Sequence, residues 1–193
     1  MNAAIGFRVK TGWTAAVLVA GGPDSPVVLD VSRVELYDPA VKDSGWPFHA
    51  GLELPANQAP KVIARLVSTV ELVARRSLGD LLKKYKEQGG RLVGAGVVVG
   101  SEIDPATIKN PHIRAHAEEG RLYRSVVLAA AKAAGLETTL FVEKHLYEDA
   151  SVALGKPVPA LKKDLKNLGR NVEGDWRAIQ KEAALAALLI AGR

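Results

Sequence analysis

The densest polar stretch of the chain is "NPHIRAHAEEGR", residues 110 to 121. On a helix it places His112, His116 and Glu119 at i, i+4 and i+7 of one face, a spacing that can hold zinc or another borderline metal. Arg114 and Arg121 stand a helical step or two away, where a guanidinium can take phosphate. The same residues also read as a solvated helix start, or as a polar surface meeting a substrate or partner. A second group, "LKKDLKNLGR", gathers Lys162, Lys163, Lys166 and Arg170. It fits a patch for a phosphate backbone and fits a solvated helix nearly as well. "GWPFHAG" brings Trp46, Phe48 and His49 together; such rings stack on bases, or fold back over the core or a dimer partner. No Ser-His-Asp or phosphate-loop arrangement is evident, because "GAGVVVG" lacks the lysine and helix start such a loop requires.

The elements that must position these groups are legible from periodicity. Residues 4–10 and 13–20 form a strand pair around a tight turn at Thr11-Gly12. Alternation along the first strand sets Ile5, Phe7 and Val9 on one face and Gly6, Arg8 and Lys10 on the other. A third, Val-rich strand spans 26–36, and short Gly, Pro, Asp and Ser links suggest an antiparallel meander. A long polar and aromatic loop follows. From Ala56 the apolar residues recur at helical spacing for about thirty residues, ending in "KKYKEQGG", with "SLGD" at 77–80 as a place to bend or split.

Residues 91–100 are nearly all apolar, as expected of a strand covered on both faces. After a loop, residues 112–135 are helical, 136–144 form a buried strand, and another helix lies around "LYEDASVALG". A basic helical insertion at about 156–174 precedes a last helix, for which Asp175 is the expected N-cap. Three antiparallel strands followed by two strand-helix units imply one α/β domain over 1–193, a mixed five-stranded sheet with helices on both faces.

That order resembles the ribonuclease H-like superfamily, and within it the RuvC-type Holliday-junction resolvases and their bacterial relatives linked to ribosomal RNA precursor processing. "GFRVKTGWTAAVLV" is similar to their first hairpin, "LVGAGVVVGSEID" to the fourth strand, "TTLFVEKHLYEDA" to the fifth strand and its acidic tail, and "KEAALAALLIA" to the last helix. The resemblance implies two divalent metals, Mg or Mn, held by carboxylates at the ends of adjacent strands, which activate water and stabilise the leaving oxygen of a phosphodiester. Hard cations need oxygen ligands. Carried over by position, however, the first-strand acid falls at Arg8, the Asp-Glu pair at Glu143 and Lys144, and the last-helix acid near Ala183 with Glu182 beside it.

Cations at Arg8 and Lys10 repel a divalent ion and attract phosphate oxygens. The expectation is therefore a nucleic-acid-associated protein whose nuclease site is lost or altered. Glu102 and Asp104, which follow the fourth strand, could join Glu143 and Glu182 in a shifted site for an active metal-dependent nuclease. Equally, "SEIDPAT" reads as an acidic loop capping the next helix. A third expectation is a non-enzymatic, homodimeric interaction protein.

Composition agrees with a nucleic-acid partner, DNA or RNA: the 193 residues carry a net charge of +5, which favours polyanions. The apolar fraction of 48% and charged fraction of 24% are those of an ordinary globular chain. There are no cysteines, which excludes disulfides and thiolate metal sites and fits a reducing cytoplasm. The opening residues lack a basic region followed by a long apolar run, so no secretory signal is expected. The most apolar segment, "EAALAALLIAG", falls short of the roughly 20 residues that span a bilayer.

Overall fold

The computed structural model describes residues 2–88 and 91–192; the glycines expected to stop the long helix, Gly89 and Gly90, lie outside the described residues. Strands β1 (Asn2–Lys10) and β2 (Trp13–Ala20) pair antiparallel around Gly12, whose φ of 82° is the left-handed turn conformation that glycine adopts without a Cβ penalty. β3 (Val27–Glu35) adds to β2 antiparallel, while β4 (Arg91–Val99) and β5 (Thr138–Val142) run parallel to β1. The sheet order is β3-β2-β1-β4-β5, which puts β1 in the middle. Arg8 lies in register with Val98, and Val98 with Phe141. The carboxyl ends of the three parallel strands therefore open at one edge of the layer, close to Arg8.

Helices cover both faces, as the strand order requires. On one side α1 (Pro47–Leu52), α2 (Ala59–Glu87) and α3 (Pro111–Ala133) bury Phe7, Val9, Leu78, Leu82, Tyr123 and Val127 together. On the other, α4 (Leu146–Leu154), α5 (Val158–Leu168) and α6 (Ala178–Ala191) close over Ala4, Val17 and Val98. The alternation read from β1 thus sorts its side chains to the two layers as expected. Among the described residues no helix is long and apolar enough to cross a membrane.

Helix α6 approaches the sheet unusually closely, and two glycines permit it. A Cβ placed on Gly6 would overlap the carbonyl oxygen of Ala183, and one on Gly96 would lie 2.7 Å from that of Ala186. The second layer is tied to the sheet differently. Asp30 of β3 accepts hydrogen bonds from Lys84 Nζ (2.7 Å) and Tyr85 Oη (2.7 Å) of α2 and from Ser32 Oγ (2.6 Å).

Several element boundaries differ from the sequence expectation. The long helix is not split at 77–80: α2 runs unbroken for 29 residues, with Gly79 facing open space where a missing side chain costs no packing. The loop after β3 contains α1, started by Pro47, whose fixed φ suits a first helical turn. β5 is shorter than expected and only partly buried, because it is the sheet's edge. Asp175 does not cap α6. Trp176 docks with its Nε1 donating to Leu165 O at 2.8 Å, delaying the helix until Ala178, and the Gln180 side chain accepts from Arg177 N at 3.0 Å instead.

Candidate functional site

The centre of the strand-end crevice is a guanidinium. Arg8 is 1% exposed, the bulkiest of the fully buried side chains. Its Nε donates to Glu182 Oε2 at 2.5 Å, its Nη2 to Glu143 Oε2, and its Nη1 to Val9 O at 3.0 Å. Thr14 Oγ1 holds the Arg8 carbonyl from the neighbouring strand at 3.0 Å. Burying a cation this deeply requires anionic partners with satisfied donors. Glu143 supplies one from the turn directly after β5, and Glu182 supplies the other from the face of α6 that Gly6 allows so near. Sequence reasoning placed both acids and the base at this end of the sheet; the structure joins them to one another.

Arg8 was expected to take phosphate, and here its fork is turned onto the protein's own carboxylates. The neighbouring cations are differently placed. A cleft of about 230 Å³ beside Arg8 is lined by Lys10, Arg121 and Arg124, together with Gly100, Ser101 and His116. No aspartate or glutamate lines it. Arg124, missed in the sequence because it sits inside an amphipathic helix pattern, reaches back to Ser101 O at 3.4 Å. Arg121 pairs with Glu118 at 2.5 Å. Such a cleft presents positive charge at the edge of a low-dielectric wall, the arrangement that concentrates phosphate.

Above the cleft, three histidines meet. His112 and His116 project from the first turns of α3, which Asn110 caps by accepting from Ile113 N at 3.1 Å. Their Nε2 atoms lie 3.2 Å apart. His49 arrives from α1, its ring centroid 4.2 Å from that of His116 and 4.7 Å from that of His112. Glu119, read from spacing as a third ligand, is fully buried and turned away to His49: its carboxylate oxygens lie 2.8 and 2.9 Å from Nδ1, and Oε1 also accepts the His49 backbone N–H at 3.2 Å. Burial, with His49 and His112 alongside, lowers the His116 pKa below its ordinary 6.5 despite the opposing pull of Glu119. Trp46, 49% exposed, sets its edge against His49 and His116.

The remaining sequence candidates are dispersed. Glu102 is exposed, and Asp104 accepts from Ala106 N at 3.0 Å, capping the short turn Pro105–Thr107. Neither has a contact that draws it to Glu143 or Glu182. Lys144 and Arg114 are exposed. Lys162, Lys163 and Lys166 line the outer side of α5, whose Leu161 and Leu165 are buried, and Arg170 lies exposed in the turn Gly169–Asn171. Lys162 also sits 5.3 Å from the Tyr147 ring centroid.

Compared with solved structures, the chain is similar to Thermus thermophilus RuvC. A Holliday-junction complex of that protein matches at a TM-score of 0.56 over 98% of this chain and 92% of the other, with 13% identity. A further Thermus thermophilus RuvC structure matches at 0.55 over 97% and 92%, with 14% identity. This is a RuvC-like, ribonuclease H-like fold. No family model and no curated protein matches the chain by sequence. The RuvC likeness therefore rests on the path of the backbone, and the chemistry rests on the residues at hand.

Those residues do not fit the metal pair that a RuvC-like fold implies. One guanidinium already engages both Glu143 and Glu182, and a divalent ion beside it would be repelled by the fixed cation. Among the described residues, the set of three metal-ligating side chains that does converge is His49, His112 and His116, and it includes neither Glu143 nor Glu182.

Proposed function

We propose that the chain is a nucleic-acid-binding protein of the ribonuclease H-like, resolvase type in which Arg8 has replaced the metal ions, so that phosphate is held without being cut. The observation that carries this reading is the Arg8 guanidinium shared between Glu143 and Glu182 at the strand ends. An immobile cation can hold the two acids together but cannot supply a metal-bound hydroxide. Lys10, Arg121 and Arg124, which line the adjoining cleft, are the groups that meet phosphate oxygens. Lys162, Lys163, Lys166 and Arg170 offer a second patch on the α6 side of the sheet for the flanking backbone.

The test is fluorescence anisotropy with four-way junction, duplex and single-stranded probes across a salt series. Expected is binding whose log K falls with log salt at a slope of about −3 where the three cleft cations alone meet phosphate, steepening towards about −6 on probes long enough to reach the second patch. The same probes with Mg²⁺ or Mn²⁺ should remain intact. Absence of salt-sensitive affinity for every probe overturns the reading. Cleavage in Mn²⁺ that Glu143→Ala abolishes would replace it with that of an active nuclease.

A further inference from the structure

We propose that His49, His112 and His116 form a three-histidine site for a divalent transition cation of the zinc class, with Glu119 as the residue that orients His49. One nitrogen from each ring lies within 4.8 Å of one from each of the others. The Nε2 atoms of His112 and His116, 3.2 Å apart, already match the edge of a tetrahedron, which is about 3.3 Å for Zn–N bonds of about 2.0–2.1 Å. Imidazole nitrogens suit borderline cations and not the magnesium class, so the site is chemically distinct from the carboxylates around Arg8.

Two features separate this trio from a chance packing of rings. First, His49 Nε2 is the one buried side-chain nitrogen or oxygen without a hydrogen-bond partner among the described residues. Glu119 accepts at Nδ1, which puts the proton of a neutral ring there and leaves the Nε2 lone pair unpartnered on a ring packed against the other two histidines. A buried polar atom left in this state is costly, and a bound cation removes the cost. Second, a buried carboxylate behind one ligand is the arrangement that fixes the tautomer and ring plane of metal-bound histidine. Glu119 is fully buried, accepts from both the ring and the backbone of His49, and has no place in the Arg8 centre.

Three imidazoles leave a tetrahedral cation one open position. His116 belongs both to the trio and to the lining of the basic cleft, so the ion stands at the cleft's rim, where water or a phosphate oxygen can complete its shell. Trp46 sets its edge against two of the three rings, those of His49 and His116. Occupancy does not depend on the nucleic-acid reading, because the ligands are complete without it.

Isothermal titration of the full chain, free of any histidine tag, with Zn²⁺ tests the site. Expected is one ion per chain, a raised melting temperature, and loss of binding in His112→Ala/His116→Ala, whose exposed positions leave the circular dichroism unchanged. Glu119→Gln should weaken binding about 10- to 100-fold. Co²⁺ added to the unmodified chain, which needs no variant to fold, should give the visible absorption of a tetrahedral nitrogen-ligated ion. Absence of stoichiometric Zn²⁺ binding, binding that survives the double substitution, or an octahedral Co²⁺ spectrum overturns the proposal.

Discussion

Arg8 Nε lies 2.5 Å from Glu182 Oε2, joining the middle strand to the last helix across 174 residues of chain. Because Arg8 is buried and Glu182 only 13% exposed, little solvent screens the pair. Removing one partner strands the other. Glu182→Ala should cost about 3 kcal/mol, the lower end for a broken buried pair. Glu143, 45% exposed, has water as an alternative partner, so Glu143→Ala should cost less than about 1 kcal/mol. Urea denaturation of the two variants gives the comparison, and equal losses would contradict the burial difference.

Reversing the charge at the centre should create what the cation now precludes. Arg8→Asp brings a third carboxylate to Glu143 and Glu182, a set that repels itself in metal-free buffer and suits Mn²⁺. The variant is expected to melt well below the parent, and millimolar Mn²⁺ should raise its melting temperature while leaving the parent's unchanged. Equal responses of the two proteins would count against a shared geometry for the three positions.

Cations of the cleft should be separable from those elsewhere by their effect on salt dependence. Lys10→Ala or Arg124→Ala should each lower the salt slope of nucleic-acid binding by about 1, and weaken binding equally across sequences. Arg114→Ala, exposed and outside the cleft, should leave the slope unchanged. Anisotropy titrations at several salt concentrations provide the measurement.

Acid should weaken the tie between β3 and α2. Burial alone would raise the Asp30 carboxyl pKa, but hydrogen bonds from Lys84, Ser32 and Tyr85 outweigh it and hold the group below its ordinary 3.8. A depressed folded pKa stabilises the native state fully above the unfolded value, and that contribution disappears as pH falls through the folded one. Urea midpoints measured downward from neutrality should therefore drop below about pH 4 in the parent, and Asp30→Asn should flatten that part of the profile.

Close approach of α6 makes Gly6 intolerant of any side chain. Gly6→Ala would press a methyl group into the Ala183 carbonyl, and the helix must retreat or the strand bend. A loss of about 3 kcal/mol is expected, the upper part of the usual range for overpacking. Gly79→Ala, in open space on an exposed helix, should instead gain about 1 kcal/mol. Thermal melts of the two variants separate the cases.

How far the sequence disclosed this arrangement depended on the range of the interaction. Alternation along "IGFRVK" placed Arg8 and Phe7 on opposite faces because strand geometry is local. Spacing on α3 likewise showed that His112 and His116 share a face. It misread Glu119, whose partner His49 lies 70 residues away on a six-residue helix too short to show a period. Asp175 has the chemistry of a cap, yet Trp176 found a better position against Leu165 and Gly169, and a tertiary contact of that kind leaves no trace in a sequence window. Arg124 and the cleft it lines required the α3–β4 juxtaposition before they could be seen at all.

The Arg8 guanidinium is covalently tethered to the strand whose end it neutralises. A dissolved counter-ion leaves when its supply falls, whereas this one cannot be diluted or chelated away. The presence of a cation at the strand ends is thus indifferent to the ionic composition of its surroundings, and the fold carries it from the moment its first hairpin meets its last helix.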